Sequence, residues 1–189
     1  MKKILLGALS FVLVLLTACS PNSSESELSK LENNTANAGI LSSFTATDLN
    51  GTEIDESILA DYELTMVNVW ATFCGPCLRE MPDLGELAAE YETKGVRIVG
   101  MVSDVLDSSG NIDATQVATA KNIVAETKAD YLHILPSDDL LGLISQIQSV
   151  PTTFFVDKDG NQVGQAYVGS RSKAEWKTII DQTLAEVSP

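Results

Sequence analysis

Trp70-Ala71-Thr72-Phe73-Cys74-Gly75-Pro76-Cys77 decides how the rest of this chain reads. It follows Leu64-Thr65-Met66-Val67-Asn68-Val69, a nearly continuous apolar run with β-branched residues, the pattern of a strand buried on both faces. Two cysteines two residues apart can close a small disulfide ring and open it again, the minimum apparatus of thiol–disulfide exchange. The same pair could be half of a metal site or a structural staple, although so small a ring constrains little chain and stabilises poorly. From Cys77 to about Thr93 the period is helical, with Leu84, Leu87, Ala88 and Tyr91 on one face; Pro82 inside it is expected to kink it. Cys74 therefore falls at a helix N-terminus, where unpaired N–H groups and the dipole favour a thiolate. Gly75-Pro76 restricts the turn between the sulfurs, and the first helical turn needs no N–H from Pro76. Cys77, one turn in, is expected to be the more buried and to act as the resolving thiol.

Outward from this stretch, Val96–Val102 is a second buried strand, so strand, helix and strand predict a right-handed parallel βαβ unit. Ser103–Ile112 is a polar loop. Asp113 with Gln116 resembles a capping box opening a helix to about Lys128. A short strand over Tyr131–Leu135 and a helix over Asp138–Gln148 follow. Val150–Asp157 is a strand that Asp159-Gly160 turns into the antiparallel Asn161–Val168. Ser172-x-x-Glu175 caps a closing helix to about Val187, with Trp176, Ile179, Ile180 and Leu184 on its apolar face. Before the motif, Phe44–Leu49 and Thr52–Ile54 flank Asn50-Gly51 and predict a β-hairpin with a two-residue turn. There are no internal repeats and no second domain.

The 189 residues, 44% apolar, can bury a real core. The formal net charge of −14 excludes nonspecific attraction to nucleic acid or to an anionic membrane surface. Lys2 and Lys3 before the apolar run Ile4–Leu16 form a secretory signal, its 13 residues short of the roughly 20 that span a bilayer. The run ends in Leu16-Thr17-Ala18-Cys19, which resembles the bacterial lipobox; lipidation at Cys19 also accounts for the third, unpaired cysteine. Several acyl chains on Cys19 would anchor the protein durably outside the cytoplasm. From Ser20 to about Gly39 the chain is rich in Ser, Asn, Glu and Ala without apolar period and reads as a flexible tether. The expected organisation is thus residues 1–18 signal peptide, 19–39 lipidated tether and 40–189 one α/β domain.

These residues together resemble thioredoxin-fold proteins, specifically the membrane-tethered TlpA/ResA-like thiol–disulfide oxidoreductases. The resemblance covers about residues 40–187 and rests on Trp70–Cys77 after one buried strand and Val150-Pro151-Thr152-Thr153 before another. The N-terminal hairpin, the insertion between about Ser103 and Leu135 and the lipid tether are typical of that branch. It implies a three-layer fold with a mixed central sheet and flanking helices. It further implies a redox-active Cys74–Cys77 disulfide with no other cofactor and no metal, and a cis-Pro151 facing the cysteines, with the backbone of Val150 pairing with an extended substrate.

Trp70 and Phe73 are expected to border the site with Gly75, Pro76 and Thr152, giving an apolar surface for substrate. Asn68 stands where thioredoxin carries a buried Asp. Glu80 matches an acid that ResA-like proteins place near their thiols and is a candidate proton acceptor, the alternative being a solvated acid on the helix surface. His133, the lone histidine, reads as structural. The implied function is reduction of disulfides in exported proteins, such as apocytochrome c or a methionine sulfoxide reductase, recharged by a membrane dithiol carrier of the CcdA/DsbD type. Gly-Pro between the cysteines resembles reducing thioredoxins. The competing readings are a thiol oxidase or isomerase on the same fold and a Sco-like metal-handling lipoprotein. The latter branch uses three residues between its cysteines and a downstream His ligand, which this chain does not match.

Overall fold

The computed structural model describes residues 39–188. The signal segment, Cys19 and the tether up to residue 38 lie outside the described residues. The elements are β1 (Thr45–Thr47), β2 (Glu53–Asp55), a 3-10 turn (Glu56–Leu59), β3 (Leu64–Trp70), α1 (Gly75–Glu92), β4 (Val96–Val102) and α2 (Ala114–Thr127). After them come β5 (Leu132–Ile134), α3 (Asp138–Ile144), β6 (Thr152–Asp157), β7 (Gln162–Val168) and α4 (Lys173–Val187). The central sheet has the order β5-β4-β3-β6-β7. β3, β4 and β5 run parallel, while β6 and β7 are antiparallel to their neighbours. This is the mixed α/β thioredoxin-like architecture, with the N-terminal hairpin beside it.

Strand alternation sorts the core onto two faces. Val67, Val69, Val99, Met101, Phe154 and Val156 pack under Leu41, Phe44, Ala46, Leu59 and Leu140, contributed by the N-terminal segment and α3. The opposite face carries two clusters. Trp70, Val102 and Met81 surround the cysteines at one end, and Leu64, Met66, Leu84, Leu87, Phe155, Trp176 and Ile180 fill the other. Between them the register lines up His133, Gly100, Asn68, Thr153 and Tyr167 on adjacent strands. A polar row thus crosses an otherwise apolar face.

Local details depart from the sequence reading. β1 and β2 pair as expected, but the connection spans residues 48–52 and is not a two-residue turn. Asp48 carboxylate Oδ1 accepts from Asn50 N at 2.7 Å and Thr52 N at 2.8 Å. This Asx geometry, with only Gly51 at positive φ, displaces the primed turn. Asp113 caps α2 through Thr115 and Gln116 N–H, but the Gln116 amide does not return to Asp113. It donates instead to Thr72 Oγ1 and Asp104 O. α3 stops at Ile144, short of Gln148, because Gln146 and Ile147 N–H bond three residues back and tighten the chain into turns. The helix after Cys77 forms as read, α1 running from Gly75 to Glu92 with exposed Pro82 inside it.

Candidate active site

β3 leads directly into the cysteine loop, and α1 begins at Gly75 with Cys74 as its N-cap and Pro76 in the first turn. Cys74 and Cys77 are joined in a disulfide. Cys77 N–H donates to Cys74 Sγ at 3.2 Å, so the helix terminus directs a donor at the sulfur that would carry negative charge. Cys74 is 5% exposed and Cys77 is 0%, which makes Cys74 the sulfur that a partner can reach.

The loop is held from the inserted region. Thr72 N–H donates to both Asp104 carboxylate oxygens at 3.0 Å, and Thr72 Oγ1 donates to Oδ2 at 2.6 Å. Facing the disulfide, the Val150-Pro151 bond is cis, and Val150 O lies 3.5 Å from Cys74 Sγ. Thr152 Oγ1 donates to Ser149 O at 2.7 Å and Gly169 N to Pro151 O at 2.8 Å, fixing both flanks of that turn. Around the sulfurs, Gly75 and Pro76 are exposed and Phe73 is 78% exposed. Trp70, expected to border the same surface, is instead fully buried: it lies on the helix-covered face of β3 and packs against both cysteines.

Trp70 Nε1 donates to His133 Nδ1 at 3.1 Å, and His133 Nε2 lies 3.0 Å from Ala129 O. The indole proton assigns the acceptor role to Nδ1, so Nε2 carries the hydrogen and the ring is neutral. Burial pushes its ionisation down to about 4. His133 therefore braces Trp70 and does not ligate. Among the described residues, no group of three or more His, Cys, Asp or Glu side chains is placed to hold a metal.

Glu80, one turn beyond Cys77 on the same helix, is only 3% exposed. Asn68 Nδ2 donates to its Oε1 at 3.0 Å, and Arg171 N and Trp176 Nε1 donate to its Oε2 at 3.1 and 3.2 Å. Asn68 Nδ2 also reaches Thr153 Oγ1 at 2.9 Å. Burial raises the carboxyl above its ordinary range, against the pull of these donors and of the Arg171 charge. The sequence leaves Glu80 between a solvated surface acid and a site residue; the fold puts it inside. Sequence reasoning misses its anchors, because Trp176 and Arg171 stand 96 and 91 positions away. The one available signal is that a buried indole N–H needs a partner.

Comparison with known proteins agrees with this geometry. The family model described as Redoxin matches residues 31–180. A thiol-disulfide oxidoreductase ResA of Bacillus cereus is 31% identical over 147 residues, 77% of this chain and 75% of that protein. ResA of Geobacillus kaustophilus is 28% identical over 148 residues, with the same shares of the two chains. A thiol:disulfide interchange protein of the thioredoxin family from Chlorobium tepidum TLS superposes with a TM-score of 0.61 at 26% identity, covering 75% of this chain and 93% of that one. StoA from Bacillus subtilis, at 19% identity and a TM-score of 0.54 over 72% of this chain and 94% of that one, shares the fold.

Proposed function

The chain belongs to the Redoxin family as a ResA-like thiol–disulfide oxidoreductase, and from that premise we propose that it is an extracytoplasmic dithiol reductant of exported proteins, held to the membrane by a lipid on Cys19. The observation that carries the reading is Cys74 itself. It caps a helix, receives the Cys77 N–H and lies 3.5 Å from Val150 O ahead of cis-Pro151.

In the reduced protein the Cys74 thiolate attacks a client disulfide. A Cys74–client S–S bond forms, and the client's second sulfur leaves as a thiolate that takes a proton from solvent. Cys77 passes its proton to Glu80, and its thiolate attacks the Cys74 sulfur. The Cys74–Cys77 bond forms and the first client sulfur departs, protonated in turn by Glu80. Two electrons and two protons have then moved from the dithiol to the client. The client's extended backbone lies along Val150, Pro151 and Thr152, and Phe73, Gly75 and Pro76 supply its apolar contact. A membrane dithiol carrier of the CcdA/DsbD type re-reduces the protein. The clients in view are apocytochrome c and an exported methionine sulfoxide reductase.

The test is a Cys77→Ser variant, which should accumulate mixed disulfides through Cys74 that run as slower bands on a non-reducing gel. If none forms while wild type reduces insulin, Cys77 is not the resolving thiol. A reduction potential near that of a strong oxidant, about −120 mV, would reverse the proposed direction.

A further inference from the structure

In the proposed exchange Glu80 takes up and releases a proton, yet the side-chain and backbone groups that bond it are all donors. They are Asn68 Nδ2 on Oε1, with Arg171 N and Trp176 Nε1 on Oε2. N–H groups suit a carboxylate; a carboxylic acid placed among them lacks an acceptor for its own proton. One acceptor is at hand. Asn68 Oδ1 is buried without a hydrogen-bond partner, on the same amide whose Nδ2 meets Glu80 and Thr153. A half-turn of that amide exchanges Nδ2 for Oδ1 toward Glu80. The Thr153 hydroxyl accommodates it, because it donates as readily as it accepts. The indole of Trp176 and the backbone N–H of Arg171 have no such freedom.

On the reading that Glu80 receives the Cys77 proton, we propose that Asn68 and Trp176 are positioning residues that set the protonation of Glu80. Trp176 holds the carboxylate in its ionised form. Asn68 turns its amide over to accept from Glu80 when the proton arrives. An aspartate at position 68 would instead put two carboxylates in hydrogen-bond contact, titrating as a coupled pair; the amide leaves one titrating group. Two of the three donors come from α4 and the corner before it, so the closing helix shares control of the proton chemistry with the helix that carries the cysteines. The charged and titratable groups that act on Glu80 are Arg171 at that corner and Tyr131 before β5, with Cys77 one helical turn earlier on its own helix. Burial and the Glu80 charge hold the Tyr131 phenol far above its usual range, so it stays neutral throughout.

Carboxyl-carbon and side-chain nitrogen NMR of the full chain in its oxidised state tests this. In wild type, the Asn68 side-chain amide and Trp176 indole resonances should shift with the same midpoint as the Glu80 carboxyl. If Glu80 titrates and neither follows, or if Glu80 does not titrate over the folded range, the proposal is wrong whatever any variant does. Trp176→Phe deletes a donor that serves only the carboxylate and should raise the Glu80 midpoint by about one pH unit, whereas Asn68→Leu removes a partner of both protonation states and should move it less; an unchanged midpoint in Trp176→Phe overturns it as well. Glu80→Gln separates this from the underlying reading. If the Cys77 thiol of the reduced protein titrates as in wild type, the proton-acceptor role of Glu80 fails, while its coupling to Asn68 and Trp176 is judged by the NMR alone.

Discussion

Gly100 has no side chain because His133 occupies the space. A Cβ at that position would lie 2.1 Å from His133 Nδ1 and 2.7 Å from Cε1, inside any real contact. The ring is held there by Trp70 and Ala129 and by Tyr131, whose ring centroid is 4.4 Å away. Gly100→Ala should push the ring off its site and leave the Trp70 indole N–H buried without an acceptor. Overpacking costs about 1–3 kcal/mol and an orphaned buried donor about as much, so a loss of about 2–4 kcal/mol is expected in urea denaturation of the oxidised protein. A loss under about half a kcal/mol would mean that His133 is not fixed where it lies. At this scale the sequence is most legible where chemistry is local: Cys74 and Cys77 announce themselves by neighbours, whereas the cis bond before Pro151 is implied by the family resemblance and not by the residue. Trp70 is misread because an aromatic beside a motif has the same composition whether it faces in or out. The alternation Leu64, Met66, Asn68, Trp70 holds the answer, since it assigns Trp70 to the helix-covered face.

Elements with a single strong pattern are legible in full. β3 and β4 match their apolar runs because a strand buried on both faces leaves no polar alternation to misread. The capping box of α4 is also complete, with the Ser172 side chain on Glu175 N–H and the Glu175 carboxylate on Ser172 N–H at 2.9 Å. Short elements are less legible, because a side chain that bonds its own backbone outweighs a two-residue signal, as Asp48 does in the β1–β2 connection. The capping box carries more than helix stability, since α4 brings Trp176 to Glu80 and Lys173 to Glu86. Ser172→Ala should cost about 1 kcal/mol of stability, read from the denaturation midpoint. Because Trp176 is pinned by burial as well as by its helix, insulin reduction should remain close to wild type. A large loss of activity with the stability retained would show instead that the helix terminus, and not the packed indole, fixes the Glu80 anchor.

For the molecule as a whole, burying His133 and Glu80 on the sheet face that carries the disulfide makes stability a function of pH with two opposing parts. The His133 ionisation falls from its ordinary 6.5 to about 4, burial being the main cause. Between those values the unfolded chain binds more protons than the folded one, so this contribution is complete above about 6.5 and is lost as pH falls toward 4. Glu80 acts in the other sense. Burial raises its carboxyl above 4.5, so the folded state holds the extra proton, and that contribution is lost as pH climbs through the raised value. The acidic surface adds a third influence, because the net charge of −14 shrinks as pH approaches the isoelectric point near 4.3, easing self-repulsion. That relief acts on wild type and single-site variants nearly alike, so a difference between them isolates one group. His133→Gln should therefore remove the His133 part of the stability profile, the part that rises between pH 4 and 6.5. The difference should approach one proton, about 1.4 kcal/mol per pH unit, and total at most about 3 kcal/mol. Urea midpoints of the oxidised proteins at several pH values across that window are the measurement. Because the readout is a slope, a uniform destabilisation by the substitution does not disturb it. Parallel profiles for variant and wild type would mean that the imidazole reaches solvent and takes its proton in the folded state, and the neutral brace assigned to Trp70 would go with it.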